Sequence, residues 1–207
     1  VELAESGQAL LLDCADQTAR SVPFDSQAPA LLVIHSGVSH ALAEGAYAQR
    51  RADCEQASAL LGVNTLRDVS RDQLARLKDE GVLHQRATHV VSENERVRDA
   101  VTAIEQGHWD RLGALMTGSH RSLRDDYEVS CPELDLLVAL ATAEPGVYGA
   151  RMTGGGFGGC VIVLVERDLL KAVADRISGH YADHMGWAPE CYRVQASAGA
   201  REICTAL

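Results

Sequence analysis

Six positions of this chain, 154–159, hold five glycines: Gly154, Gly155, Gly156, Gly158 and Gly159, with Phe157 among them. Glycine lacks a Cβ, so such a run lets backbone amides take positive φ and approach another group closely. The loop can cradle a phosphate directly, or it can press against another backbone segment and fix its shape. A plain β-hairpin turn is the alternative without chemistry. The same letters contain Gly154-x-Gly156-x-x-Gly159, the spacing of a dinucleotide fingerprint, which requires a helix opening directly after it. The next residues are instead Cys160-Val-Ile-Val-Leu-Val165, an unbroken apolar and β-branched run that reads as a strand. The dinucleotide reading fails on that context.

Other polar groups carry weaker signals. Arg151 precedes the glycines and could meet a phosphate, although an arginine beside a turn more often faces solvent. The run Arg50-Arg51-x-Asp53-x-Glu55 reads as charge pairing on a helix surface, worth about a few tenths of a kcal/mol per pair. His180 and His184 stand one helical turn apart and could share a zinc ion, but no third ligand of fitting spacing accompanies them. A solvated helix face is the better reading, and no metal site is expected in this chain. Six cysteines without a C-x-x-C pair read as reduced thiols of a cytosolic protein. A formal charge of -10 argues against a nucleic-acid or anionic-membrane surface and favours a small-molecule partner. The apolar runs are far shorter than a membrane span. The start, Val1-Glu-Leu-Ala-Glu, has neither Met nor the pattern of a signal peptide, so the chain is expected to begin inside a longer protein located in the cytoplasm.

The elements that must position these residues are legible from hydrophobic period. A length of 207 residues allows one domain, or one domain and a piece of another. Apolar stretches at 8–13, 20–24 and 30–36 read as strands of an antiparallel sheet. Helical spacing takes over at 46–61 and closes at Gly62. Ser70 is expected to cap a helix over 71–80 with Leu74 and Leu77 inward. Ser92-Glu-Asn-Glu95 and Ser130-Cys-Pro-Glu133 have the form of capping boxes, predicting helix starts there. The first of these helices should stop at Gly107, and another should fill 108–125. The helix after Ser130 should carry Leu134, Leu137, Val138 and Ala141 inward and end near Pro145-Gly146. A strand, the glycine loop, a second strand, a helix over 169–184 and a last strand at 192–196 complete the order. It predicts an α+β sandwich with helices on one face of an antiparallel sheet.

Three quoted stretches narrow the reading: "GARMTGGGFGGCVIVLV" at 149–165, "SHRSLRDDYEVSCPELDLLV" at 119–138 and "HSGVSHALAEGAYAQRRADCE" at 35–55. The first resembles the third motif of the GHMP kinases, a family of small-metabolite kinases, and all three in this order resemble its galactokinase branch over essentially the whole chain. The resemblance implies a GHMP-kinase C-terminal domain at 41–207, a ferredoxin-like α/β sandwich with extra helices, preceded at 1–40 by remnant strands of the N-terminal domain. It implies ATP-dependent phosphorylation of α-D-galactose at its anomeric hydroxyl, with Mg2+. It assigns Tyr47 to the sugar, where a phenol both donates and accepts and its ring excludes water. It assigns Gly154, Gly155, Gly156, Gly158 and Gly159 to supporting the phosphate-binding loop beside the triphosphate. Ser122, Arg124, Asp125 and Asp126 then read as ordering a helical layer. His35, Ser39 and Ala46 depart from the residues common in the branch, without touching Tyr47 or the glycine loop.

Galactokinases carry three further segments: a Gly-Glu-His-Thr-Asp-Tyr sugar signature, a Pro-x-Gly-x-Gly-Leu-Ser-Ser-Ser phosphate loop, and the aspartate of Gly-x-Met-Asp-Gln. None is in this sequence, so no catalytic residue is assigned within it and the base is expected upstream. The expected partners are galactose, ATP and an N-terminal domain. The chain alone is expected to be inactive, because phosphoryl transfer depends on positioning and charge stabilisation by groups it lacks. Alternatives are a non-catalytic sensor of sugar and ATP, a kinase for N-acetylgalactosamine or arabinose, and a structural fragment.

Overall fold

A computed structural model describes residues 3–24, 28–39 and 43–200 of the chain. The boundary drawn between residues 40 and 41, and Cys204, lie outside the described residues. The chain opens with a hairpin of β1 (Gln8–Asp13) and β2 (Thr18–Pro23), paired antiparallel from Gln8 opposite Pro23 to Asp13 opposite Thr18. The third strand, β3 (Ala30–Ser39), does not join them. It enters a second sheet with β4 (Val147–Thr153), β5 (Gly158–Val165) and β6 (Glu190–Val194), in the order β4-β5-β3-β6.

Every pairing in that sheet is antiparallel. Between β3 and β4 lie α1 (Ala43–Leu61), α2 (Arg71–Leu74), α3 (Val82–Glu105), α4 (Trp109–Asp125) and α5 (Pro132–Ala143), and α6 (Leu170–Met185) links β5 to β6. This is the split β-α-β-β-α-β order of a ferredoxin-like sandwich with additional helices. Its first strand is β3, so the four-stranded sheet draws on residues that the sequence reading grouped with the opening strands.

The principal core lies on one face of the sheet. Leu32 and Ile34 of β3, Val161, Val163 and Val165 of β5 and Met152 of β4 meet Leu134, Leu137, Val138 and Ala141 of α5 and Val173, Ile177 and Tyr181 of α6. The expected inner stripe of α5 is therefore buried as read. The other face is not bare, which corrects the expectation of helices on one side only. Leu164 of β5 points there and packs with Ala103 and Leu112, bordered by Trp109, Tyr148 and Phe24. A separate cluster of Ala57, Leu61, Leu66, Leu74, Leu77, Ala87 and Val91 binds α1, α2 and α3 together.

Two expected helix starts are displaced. Ser92 and Glu95 lie inside α3, and the Ser92 hydroxyl bonds back to the His89 carbonyl (3.1 Å). A serine hydroxyl can serve the turn before it as well as cap a new helix, and here α3 is continuous. At α5 the residue before the first turn is Cys131, without a side-chain cap, while the Ser130 hydroxyl donates to Asp135 Oδ1 (2.6 Å). Ser70 does form a full capping box with Gln73, but α2 ends at Leu74 and continues as a 3-10 turn over Ala75–Leu77. Among the described residues no helix is long and apolar enough to cross a membrane.

Candidate functional site

The glycine loop joins β4 to β5 as the tip of a hairpin, so the strand reading of Cys160 to Val165 holds. Its glycines are not equivalent. Gly156 has φ +88, and a Cβ there would stand 2.2 Å from the Val129 carbonyl oxygen; the next amide, of Phe157, donates to that same oxygen (2.8 Å). This half of the loop presses on another backbone segment. Gly155 differs: its φ is not in the left-handed region and a Cβ would meet nothing within 4 Å. No contact within the chain requires glycine at 155, and the outer edge at Gly154 and Gly155 faces open space. An edge bare of side chains lets a ligand approach the backbone closely.

Tyr47 lies early in α1 and is 65 % exposed. At the end of β3 the Ser36 carbonyl accepts from the Tyr181 hydroxyl (2.8 Å) and the Trp187 indole (3.1 Å). There the register breaks between His35 and Ser39, and Ser39 pairs with Gly158 at the end of the glycine loop. One turn beyond Tyr47, Arg50 turns inward and donates from Nε to the Tyr127 carbonyl (2.5 Å) and from Nη2 to the Glu128 carbonyl (3.0 Å). Segment 126–129 thus stands between the tyrosine helix and the glycine loop.

Buried charge holds this junction, contrary to the reading of 50–55 as surface pairing throughout. Arg51 and Glu55 do pair on the surface (2.9 Å), but Asp53 is buried with its Oδ2 3.5 Å from Arg86 Nε. Arg86, itself buried, also donates to the Asp126 carbonyl and to the Glu128 carboxylate. The Ser122 hydroxyl donates to Asp126 Oδ2 (2.7 Å) and lies 3.0 Å from His89 Nδ1, whose ring stacks on Tyr127 with centroids 4.5 Å apart. Burial pushes His89 down to about 4. Arg124 pairs with its neighbour Asp125 near the surface.

Arg151 neither projects freely into solvent nor stands unpaired. Its Nη1 meets Glu93 Oε1 (3.1 Å), which also takes the Ser119 hydroxyl, while Arg96 holds Glu93 Oε2. Burial raises the Glu93 carboxyl, but the hydrogen bonds of Ser119 and Arg96 with the charges of both arginines hold it below its ordinary value. Next to it, the Met152 amide on the outer edge of β4 is met by His120 Nδ1 (3.3 Å), leaving Nε2 3.2 Å from Asp135 Oδ1. His180 accompanies Glu144 at 4.0 Å, and among the described residues no group of three or more His, Cys, Asp or Glu is placed to hold a metal ion.

Sequence reasoning did not find the roles of Arg50, Arg86 and His89. Arg86 and His89 stand among valines, leucine and alanine over 82–91, but their partners Asp53, Ser122, Asp126 and Glu128 lie more than thirty residues away and nothing local names them.

A family model described as "GHMP kinases C terminal" matches residues 100–183. The galactokinase of Homo sapiens is 44% identical over 206 residues, covering 98% of this chain and 51% of the relative. That of Streptomyces coelicolor is 46% identical over 205 residues, covering 96% and 53%. A crystal structure of Lactococcus lactis galactokinase complexed with galactose superposes with a TM-score of 0.90 at 32% identity, over 96% of this chain and 53% of that one. The chain thus spans about half the length of the relatives it matches.

Proposed function

Since this chain corresponds to the GHMP-kinase C-terminal domain of the galactokinases, we propose that, joined to the half those relatives have and it does not span, it phosphorylates α-D-galactose at the anomeric hydroxyl, giving galactose 1-phosphate. The observation that carries the reading is the superposition, over nearly the whole chain, on a galactokinase that holds galactose. The open glycine edge agrees with it: a fold that does not itself require glycine at 155 keeps the backbone bare where a phosphate would pass.

In this reading Tyr47 donates to or accepts from a sugar hydroxyl and its ring keeps water from one side of the sugar. Gly154 and Gly155 line the triphosphate side of the cleft, while Gly156, Gly158 and Gly159 hold the shape of the loop. ATP would supply the phosphoryl group, with Mg2+ offsetting its charge. The base, the phosphate loop and the metal ligands belong to the other half, which makes that half the partner of this chain, in the cytoplasm. Phosphoryl transfer is mostly positioning and electrostatics, so neither half alone suffices.

The test is sugar-dependent ADP release. A protein that carries both halves should release ADP with galactose in preference to N-acetylgalactosamine or arabinose, and the 207-residue chain alone should release none above background. Preference for another sugar would overturn the substrate, binding of sugar and ATP without turnover would replace the kinase by a sensor, and turnover by the chain alone would overturn its dependence on the other half.

A further inference from the structure

Four consecutive carbonyls, those of Asp126, Tyr127, Glu128 and Val129, are each held by a donor from another element. Arg86 of α3 takes the first, Arg50 of α1 the second and third, and the Phe157 amide of the glycine loop the fourth. Glu128 takes φ +52, a left-handed backbone uncommon for a residue with a side chain, which turns this row of oxygens toward its donors. The row has no slack on the loop side, because Gly156 already meets the Val129 oxygen at the distance only a glycine permits.

We propose that Arg50 is a positioning residue for the reaction. Its guanidinium, through the Tyr127 and Glu128 carbonyls, seats segment 126–129 against the glycine loop and so fixes the loop's open edge relative to Tyr47, one turn earlier on the same helix. The kinetic part of this inference rests on the function proposed above; the structural part does not. A planar, charged fork that spans two carbonyls sets direction as well as distance, which a lysine ammonium or an apolar side chain cannot do. Loss of the fork lets 126–129 drift, and Gly156 and Phe157 must drift with Val129. Arg86 holds the same segment, but it also neutralises the buried Asp53, so its removal would disturb the whole junction. Arg50 is the cleaner probe.

The experiment compares Arg50→Met and Arg50→Lys in a full-length protein that contains this chain, by amide hydrogen exchange and steady-state kinetics. The Phe157 amide should exchange about tenfold faster or more in Arg50→Met, with the Val161 and Val163 amides of β5 unchanged. The kcat should fall about tenfold or more while KM for galactose stays within about threefold, because a misplaced loop costs rate more than sugar binding. Arg50→Lys should move both readouts less, in the same direction, and added guanidinium should restore part of the Arg50→Met rate, which a general loss of stability would not allow. Unchanged Phe157 exchange in both variants overturns the proposal. Faster Phe157 exchange with unchanged kcat overturns its kinetic part. If the unaltered protein turns over no sugar, the proposed function fails, and Phe157 exchange alone decides whether Arg50 seats the loop.

Discussion

Exposure at single residues separates the groups offered to a ligand from those spent on the fold. Tyr47 makes little contact within the chain, so its substitution should scarcely touch stability. On the proposed role of Tyr47 at the sugar, Tyr47→Phe in a protein with both halves should raise KM for galactose about three- to tenfold, with a melting temperature unchanged within error. Unaltered sugar kinetics would remove Tyr47 from the sugar site. Arg50, by contrast, looked equivalent to Arg51 in the sequence, both lying on an exposed charged run. The difference is a matter of which side of α1 faces 126–129, and a charge pattern alone does not carry that information.

Between elements, close packing is decided by two glycines that hold no positive φ. A Cβ on Gly113 of α4 would stand 2.0 Å from the Tyr148 oxygen, and one on Gly149 of β4 would stand 2.0 Å from the Gly113 oxygen. The helix therefore lies directly on the strand, backbone to backbone, which brings His120 to the Met152 amide and closes that edge of the sheet. Gly149→Ala should destabilise the protein by about 1–3 kcal/mol or more, since the obstacle is backbone and cannot rotate away. Gly179→Ala, inside α6 with nothing near, should be neutral or stabilising by up to about 1 kcal/mol. Denaturant unfolding of the two variants checks the contrast, and equal effects would mean that α4 and β4 are not in this contact. The helix stripes and the hairpin strands were legible because each rests on a local period. The false helix start at Ser92 came from the same local reasoning, applied to a serine that serves the turn before it.

At the scale of the whole molecule, buried titratable groups make stability depend on pH. His89 protonates near 6.5 when the chain is unfolded but only near 4 when folded, because burial disfavours its charge. Between those values the unfolded state binds the extra proton, so stability is full above about pH 6.5 and declines as the pH falls toward 4. Glu93 and Asp126 attract the proton and Arg96 and Arg151 oppose it, but burial dominates. Glu93, held below its ordinary value, adds a loss in the same direction at lower pH. The melting temperature should fall across this window, and His89→Gln should flatten the fall between pH 6.5 and 4; an unchanged slope would exclude His89 as its source. By itself the sequence determined the order of elements, the inner stripe of α5, the hairpin that carries the glycines and the resemblance to a kinase family, since each depends on residues adjacent in the chain. Only the tertiary structure decided that β3 lies between β5 and β6, that both sheet faces receive helices, and that Arg50 and Arg86 join α1 and α3 to segment 126–129. Those features depend on partners far apart in sequence, and a hydrogen bond or a buried charge leaves no periodic trace of the residue that satisfies it.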